Sequence, residues 1–135
     1  MSAVTIARST FAVFAGLLAV VILSEGTDAV LRTANIFPPR DDVAAYTTGM
    51  LLAATVYRTL AGVVGGYTAA ALAPLQPLRH AIALGFIGLA LSMTGAIVMW
   101  GVGPAWYPIA LAVLALPSAW LGGRLRAAPV RAVQS

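Results

Sequence analysis

The chain has 135 residues, of which 61% are hydrophobic and only 9% are charged. Its net charge of +4 comes from arginine without any lysine, and it contains no cysteine. This balance excludes a water-soluble globular domain. The lack of cysteine excludes disulfides, thiol catalysis and cysteine-ligated metals. The composition therefore predicts an integral membrane protein.

Long apolar runs place four membrane-spanning helices along the chain. The longest run, 81–123, has 43 residues without a formal charge and contains a Gly-Val-Gly-Pro turn signal at 101–104. As a single helix it would be about 65 Å long, roughly twice the hydrocarbon thickness of a bilayer, so it predicts two spans. The predicted spans are 9–30, 43–73, 79–101 and 105–124, followed by a short basic tail at 125–135. We therefore expect an all-α fold, a single four-helix transmembrane bundle.

The arginines predict the orientation of this bundle. One side of the membrane carries five of them and the other side only two: Arg8, Arg79, Arg124, Arg126 and Arg131 against Arg32 and Arg40. Because cytoplasmic loops are enriched in basic residues, both termini are expected to be cytoplasmic. The first span follows a basic residue, as a signal peptide does, but no convincing cleavage site follows it, which favours an uncleaved helix.

Small residues define one face on each of the two middle spans. In the second span the face contains Gly62 and Gly66, and in the third span it contains Gly85, Gly88 and Gly95. Faces with little side chain let two helix backbones approach closely in a membrane. We expect the second and third spans to pack against each other through these faces. Self-association of the protein through one of them is the alternative.

Arg58 is the one arginine expected deep inside a span. Counting helical rise from the inner boundary places Arg58 at about 21 Å and Glu25 at about 25 Å, so the two lie nearly level. An unpaired arginine at this depth is costly, which predicts an ion pair with Glu25, with Tyr57 as a possible further member. Three interpretations remain open. The pair is architectural and fixes how the first two spans pack, or Arg58 extends to the outer headgroups and needs no pair. In the third, Glu25 and Arg58 line a polar pocket for an ion, proton or small anion.

The remaining polar residues have simpler explanations. Asp28 lies one turn before Arg32 and is expected to pair with it. Asp41 and Asp42 are expected to cap the second span. His80, the only histidine, lies on the opposite side from the acids, so no catalytic dyad and no metal site is predicted.

Several short motifs together resemble a group of small bacterial four-helix integral membrane proteins without an assigned activity. They are Glu25, the Phe-Pro-Pro at 37–39, the Gly62, Gly65 and Gly66 cluster, Ala73-Pro74, Arg79-His80, the Pro-Ala-Trp at 104–106, and Pro117 followed by the Leu-Gly-Gly-Arg-Leu at 121–125. The resemblance implies the same topology in a bacterial inner membrane and no particular chemistry. Small multidrug transporters have only two features in common with this sequence, four helices and an acidic residue in the first helix.

Two classes of function follow from these predictions. The first is a structural or accessory membrane protein that acts through helix packing with itself or a partner. The alternative is a small transporter or channel that uses a Glu25/Arg58 polar pocket. No enzymatic activity, cofactor or nucleic-acid partner is expected; the bilayer itself, a homo-oligomer or a larger membrane complex are the expected partners.

Overall fold

The computed structural model describes residues 3–39, 45–98, 100–101 and 103–134, with side chains described as far as Arg126. Within these residues the chain is all-helical: α1 is Ala3–Thr33, α2 Thr48–Leu72, α3 Pro77–Val98 and α4 Trp106–Gln134. Each helix is long and apolar enough to cross a membrane, and the four pack against each other. The predicted fold class is confirmed, and the chain is a small multi-pass membrane protein.

Local sequence signals explain where the helices begin. The Thr47 hydroxyl accepts a hydrogen bond from the Met50 amide at 3.2 Å and caps α2. The predicted start of this span at 43 and the expected capping residues Asp41 and Asp42 lie outside the described residues. α3 begins with Pro77, because proline lacks the amide that a first helical turn leaves unbonded. Between α3 and α4, Gly101 has a φ of +84°, which glycine adopts without strain.

Neighbouring side chains show the direction of each helix. α1 and α2 are antiparallel, because Gly16 contacts Gly65 while Asp28, further along α1, contacts the earlier residue Arg58. α3 and α4 are also antiparallel, since Gly85 lies against Leu116 whereas the earlier Ala81 lies against Gly123. α2 and α4 run in the same direction, with Gly62 beside Ser118 and Tyr67 beside Gly122. Successive helices therefore run in opposite directions. In the described residues, the start of α1 and the end of α4 lie on the same side of the bundle.

The core is made of small residues. Ala12, Ala69 and Ala81 are fully buried, while no large side chain among the described residues is. Large apolar side chains instead point outward, among them Phe11 and Ile97. In a membrane this outward surface meets lipid, so close contact between backbones is what holds the helices together.

The small faces of α2 and α3 both pack on α4. Gly66 lies on the backbone of Ala119, and Gly62 lies on Ser118. Gly85 lies on Leu116. The expectation that α2 and α3 pack through these faces is corrected in part: the two helices do touch, with Leu84 of α3 close to Gly65, but Gly62, Gly66 and Gly85 lie on α4, which offers its own small residues to both helices.

The third-span glycines change role along α3. At Gly88, an added Cβ would meet Ala115 at an ordinary 3.7 Å. At Gly95, no heavy atom among the described residues of another helix lies within 4 Å of such a Cβ. The expectation that Gly95 takes part in helix packing is therefore corrected, because the helices have separated at this level.

Candidate functional site

A cavity of about 480 Å³ lies where the helices separate, at the end of the bundle where α1 and α3 end and α2 and α4 begin. We call this end the pocket end and the cavity the pocket. All four helices contribute to its wall, through the residues Glu25, Asp28, Arg32, Leu51, Ala54, Tyr57, Arg58, Leu91, Ser92, Gly95, Ala96, Tyr107, Pro108 and Leu111. Its wall is mostly apolar, and its charged groups come from α1 and α2. This is the usual character of a small-molecule site.

An ionic cluster stands in the wall of the pocket. The Arg58 guanidinium donates through Nη2 to Asp28 Oδ2, and the Tyr57 hydroxyl donates to Asp28 Oδ1. Glu25 approaches the same guanidinium less closely, with Oε1 3.9 Å from Nη2. The predicted site residues Glu25, Tyr57 and Arg58 thus lie together, with Asp28 at their centre.

The two carboxylates differ in burial. The Asp28 side chain is 9% exposed, whereas the Glu25 side chain is 46% exposed. Because Asp28 accepts from both Arg58 and Tyr57, its negative charge is compensated inside the wall. Glu25 therefore presents the more accessible carboxylate to the pocket.

Asp28 is the site residue that sequence reasoning missed. Counting helical rise brings Glu25 nearer to the level of Arg58 and leaves Asp28 one turn further out, so the spacing pairs Asp28 with Arg32 instead. A long arginine side chain spans that difference. The signal was present in the spacing, since residues three apart lie on one helix face and both carboxylates therefore face α2.

Aromatic side chains surround the charged cluster. Tyr107 at the start of α4 lies beside the Arg58 guanidinium. Trp100 adds an indole ring to the wall. On the other side, Phe37 is buried and meets the Tyr46 ring edge-on, with the centroids 5.6 Å apart. The Tyr46 hydroxyl donates to the carbonyl of Pro38 at 2.9 Å, which ties the residues just before α2 to those that follow α1.

A smaller cavity of about 170 Å³ continues from the pocket into the bundle. Arg58 and Ser92 line both cavities. The smaller one also carries the hydroxyls of Ser24, Thr59 and Ser118. Its lining is mostly apolar, and the Thr59 and Ser118 hydroxyls donate within their own helices, to the carbonyls of Thr55 and Ala115. The two cavities together reach from the pocket end toward the centre of the bundle.

Beyond these cavities the helices close on each other. Gly16 packs on the carbonyl of Gly65, and Gly122 packs on the backbone of Val63. Gly123 lies against Ala81 in the same region. We call this end of the bundle the sealed end. The pocket is therefore blind: it opens at one end and is closed at the other.

The other sequence candidates lie away from the pocket. His80 is at the sealed end, where its Nδ1 lies 3.0 Å from the carbonyl of Gln76. Among the described residues, no group of three histidines or acids is placed to hold a metal ion. The chemistry available at the pocket is therefore charge pairing, hydrogen bonding and aromatic contact.

Compared with protein-family models, curated proteins and solved structures, the chain has no match. The resemblance to small bacterial four-helix proteins gains no support from these comparisons. The function is accordingly argued from the pocket alone.

Proposed function

We propose that this membrane protein binds a small solute in the pocket, as a small transporter does in a state open to one side. The observation that carries the proposal is that Arg58 and its acidic partners line a 480 Å³ cavity instead of facing only each other. Open space beside an ion pair forgoes the packing contacts of a closed helix interface, so a pair that served packing alone gives no reason for a cavity of this size.

A transporter is a better account than a channel. A channel needs a continuous path, and the sealed end interrupts this path with backbone contacts at Gly16 and Gly122. Movement of a solute across the membrane would require those contacts to separate while the pocket closes. Such alternation between two packings is the general mechanism of small carriers.

The accessory function is the second candidate. It requires helix packing with another chain, yet the small faces at Gly62, Gly66 and Gly85 are already covered by α4. A partner would have to bind the lipid-facing surface, which is made of large apolar side chains. We also propose that the protein is not an enzyme, since the pocket combines an ion pair with apolar walls and His80 lies at the other end of the bundle.

For localisation, we propose the inner membrane of a bacterium, with both termini in the cytoplasm. The arginine distribution supports this orientation, with five arginines on the side of the termini and two on the side of the pocket. The pocket would then open to the outside of the cell.

Cysteine labelling tests the pocket and its orientation together, because the chain has no native cysteine. Ser92→Cys places a thiol in the wall of both cavities, and Thr94→Cys places one on the exposed face of the same helix, outside the lining of either cavity. A charged, membrane-impermeant methanethiosulfonate is added to intact cells that produce each variant. We expect labelling at Ser92→Cys and little at Thr94→Cys, which lipid shields.

Further variants sharpen this test. Adding Gly95→Leu to Ser92→Cys narrows the pocket and is expected to slow labelling, whereas adding Gly26→Leu, outside the pocket lining, is not. Labelling that occurs only in inverted vesicles would reverse the orientation and keep the pocket. If the Ser92→Cys thiol reacts from neither side, the pocket is filled, and the accessory function replaces the proposal.

A further inference from the structure

We infer that an anionic phospholipid binds at the sealed end, with its phosphate between Arg79 of α3 and Arg124 of α4 on the outer side of the contact between these helices. This inference is independent of the pocket and of the solute proposed for it. It depends on where the two arginines lie, on the charge around them, and on the apolar side chains beside them.

The two arginines lie at the same depth and on the same side of the contact between α3 and α4. Leu78 and Ala81 of α3 both lie against Gly123 of α4, so Gly123 stands level with the first turn of α3. Because the two helices are antiparallel, the residues that follow Leu78 and Gly123 in the chain fall on the same side of this contact. Those residues are Arg79 and Arg124.

This side of the contact faces the membrane. Gly122 of α4 packs on Val63 of α2, and Arg124, two residues further along, falls on nearly the opposite face of α4. Both Arg79 and Arg124 are exposed. They lie at the two ends of the uncharged run 81–123, which places them where the hydrocarbon ends and the lipid headgroups begin.

Each guanidinium is held in place by a neutral neighbour. Arg79 Nη1 donates to the side-chain oxygen of Gln76 at 2.9 Å. The guanidinium carbon of Arg124 lies 5.5 Å from the centre of the Trp120 ring. The two acids that the structure describes both lie at the pocket end, so no described carboxylate compensates these charges. Guanidinium groups bind phosphate oxygens through charged hydrogen bonds, and this pair therefore favours a phosphate.

Large apolar rings favour a lipid over a free phosphate. Trp120 lies one turn before Arg124, and Phe86 lies two turns after Arg79, so each ring shares a helix face with its arginine. Both rings lie nearer the middle of the membrane than the arginines, and their side chains are exposed. A phospholipid has the same order, with a charged headgroup followed by an apolar chain. An ammonium group in the headgroup would stand beside two guanidiniums, so an anionic lipid is favoured over a zwitterionic one.

Quenching of Trp120 fluorescence by brominated lipids tests this inference. Trp100→Phe and Trp106→Phe leave Trp120 as the single tryptophan of the full-length protein. This parent is reconstituted in phosphatidylcholine vesicles that contain a fixed fraction of brominated phosphatidylglycerol or of brominated phosphatidylcholine. We expect the glycerol lipid to be preferred at Trp120 by about tenfold or more, because each arginine near an anionic lipid contributes about fivefold, or about 1 kcal/mol.

Variants assign the preference to the two arginines. Arg79→Gln and Arg124→Gln are each expected to lower it about fivefold, and the double variant is expected to remove it. Arg8→Gln is the matched control, because it removes the same charge from an exposed position at the same end. Arg8 belongs to α1, which in the described part of the chain does not contact α4. We expect Arg8→Gln to leave the preference unchanged. Quenching by the choline lipid confirms in each variant that Trp120 still faces the membrane.

Three results would overturn the inference. The first is equal quenching of the parent by both lipids. The second is a loss of preference in Arg8→Gln as large as in Arg79→Gln, since the preference would then reflect the overall charge of this end. The third is removal of the preference by inorganic phosphate at constant ionic strength, which would show that the arginines bind a free anion. We expect inorganic phosphate to have little effect.

Discussion

At the sealed end of the bundle glycines lie against the backbone of a neighbouring helix, whereas at the pocket end they face open space. A Cβ added at Gly16 would come within 2.7 Å of the carbonyl oxygen of Gly65, and one added at Gly122 would come within 2.6 Å of the amide of Tyr67. A Cβ added at Gly26 or Gly95 would have no such neighbour within 4 Å in the part of the chain that the structure describes. The same residue type closes one half of the molecule and leaves the other half open.

The charged residues follow this division. Glu25, Asp28 and Arg58 are grouped where the helices separate, whereas the backbone contacts at Gly16 and Gly122 leave no room between the helices for an ionisable side chain. A charge inside a membrane is costly unless it has a partner or access to water. The separation of the helices therefore gives these residues the space and hydration they need, and it creates the pocket at the same time.

The largest effect is expected from adding a methyl group at the sealed end. Gly122→Ala forces a Cβ into the backbone of Val63, where neither helix can yield without moving away from the other. Overpacking of this kind costs about 1 to 3 kcal/mol and occasionally more. We expect a clearly lower thermal unfolding midpoint in detergent, or a failure to accumulate the protein.

Gly26→Ala is the matched control. Both substitutions exchange glycine for alanine within a helix and gain the same helix propensity, up to about 1 kcal/mol. The difference between the two variants therefore isolates the contact. Equal midpoints for Gly122→Ala and Gly26→Ala would show that the sealed end is not closed by backbone contact.

The sequence predicts where the four helices lie better than it predicts which helices pack against each other. Long uncharged runs and turn signals give four spans because a bilayer demands about 20 apolar residues for each. The spacing identifies Gly66 and Gly85 as packing residues, but it does not choose the helix that covers them, since α4 also carries small residues and spacing within one helix does not specify its partner. Gly95 continues the same spacing as Gly85 and yet faces open space, because helix separation is a property of the whole bundle.

The candidate site shows a similar limit. The sequence predicts that Arg58 needs an acidic partner inside the membrane, and the face of α1 that supplies it can be derived from spacing. Choosing between Glu25 and Asp28 depends on a side-chain reach of a few ångströms, which counting residues along two helices does not resolve. A polar pocket at Glu25 and Arg58 was one of three interpretations of the sequence, and spacing could not choose it, because a cavity depends on where four helices stop touching.

A smaller effect is expected from breaking the ion pair at the pocket end. Asp28→Asn or Arg58→Leu alone leaves the other charge without its main partner, which typically costs about 3 to 5 kcal/mol for a fully buried pair. Because Arg58 is 27% exposed, we expect less here, about 2 kcal/mol for each variant. The double variant is expected to be more stable than the sum of the two single changes predicts, with a coupling of about 1 kcal/mol or more.

Glu25→Gln serves as the comparison within the same cluster. Its side chain is more exposed and its contact with Arg58 is looser, so its removal is expected to cost less than about 1 kcal/mol. Unfolding by sodium dodecyl sulfate measures all four variants on one scale. Strictly additive effects of Asp28→Asn and Arg58→Leu would contradict the direct pairing.

An effect on stability as small as that of Glu25→Gln is expected from Tyr57→Phe, which removes one hydrogen bond to Asp28 and keeps the ring in the wall of the pocket. A lost hydrogen bond to a charged group costs about 1.5 to 3 kcal/mol when nothing replaces it. Because the pocket can supply water to the carboxylate, we expect about 1 kcal/mol or less. The comparison with Thr59→Val, in the deeper and narrower cavity, tests whether this compensation depends on the pocket. If Tyr57→Phe destabilises the protein as much as Asp28→Asn does, water does not reach Asp28, and the open end of the bundle is dry where the proposed function requires it to be wet.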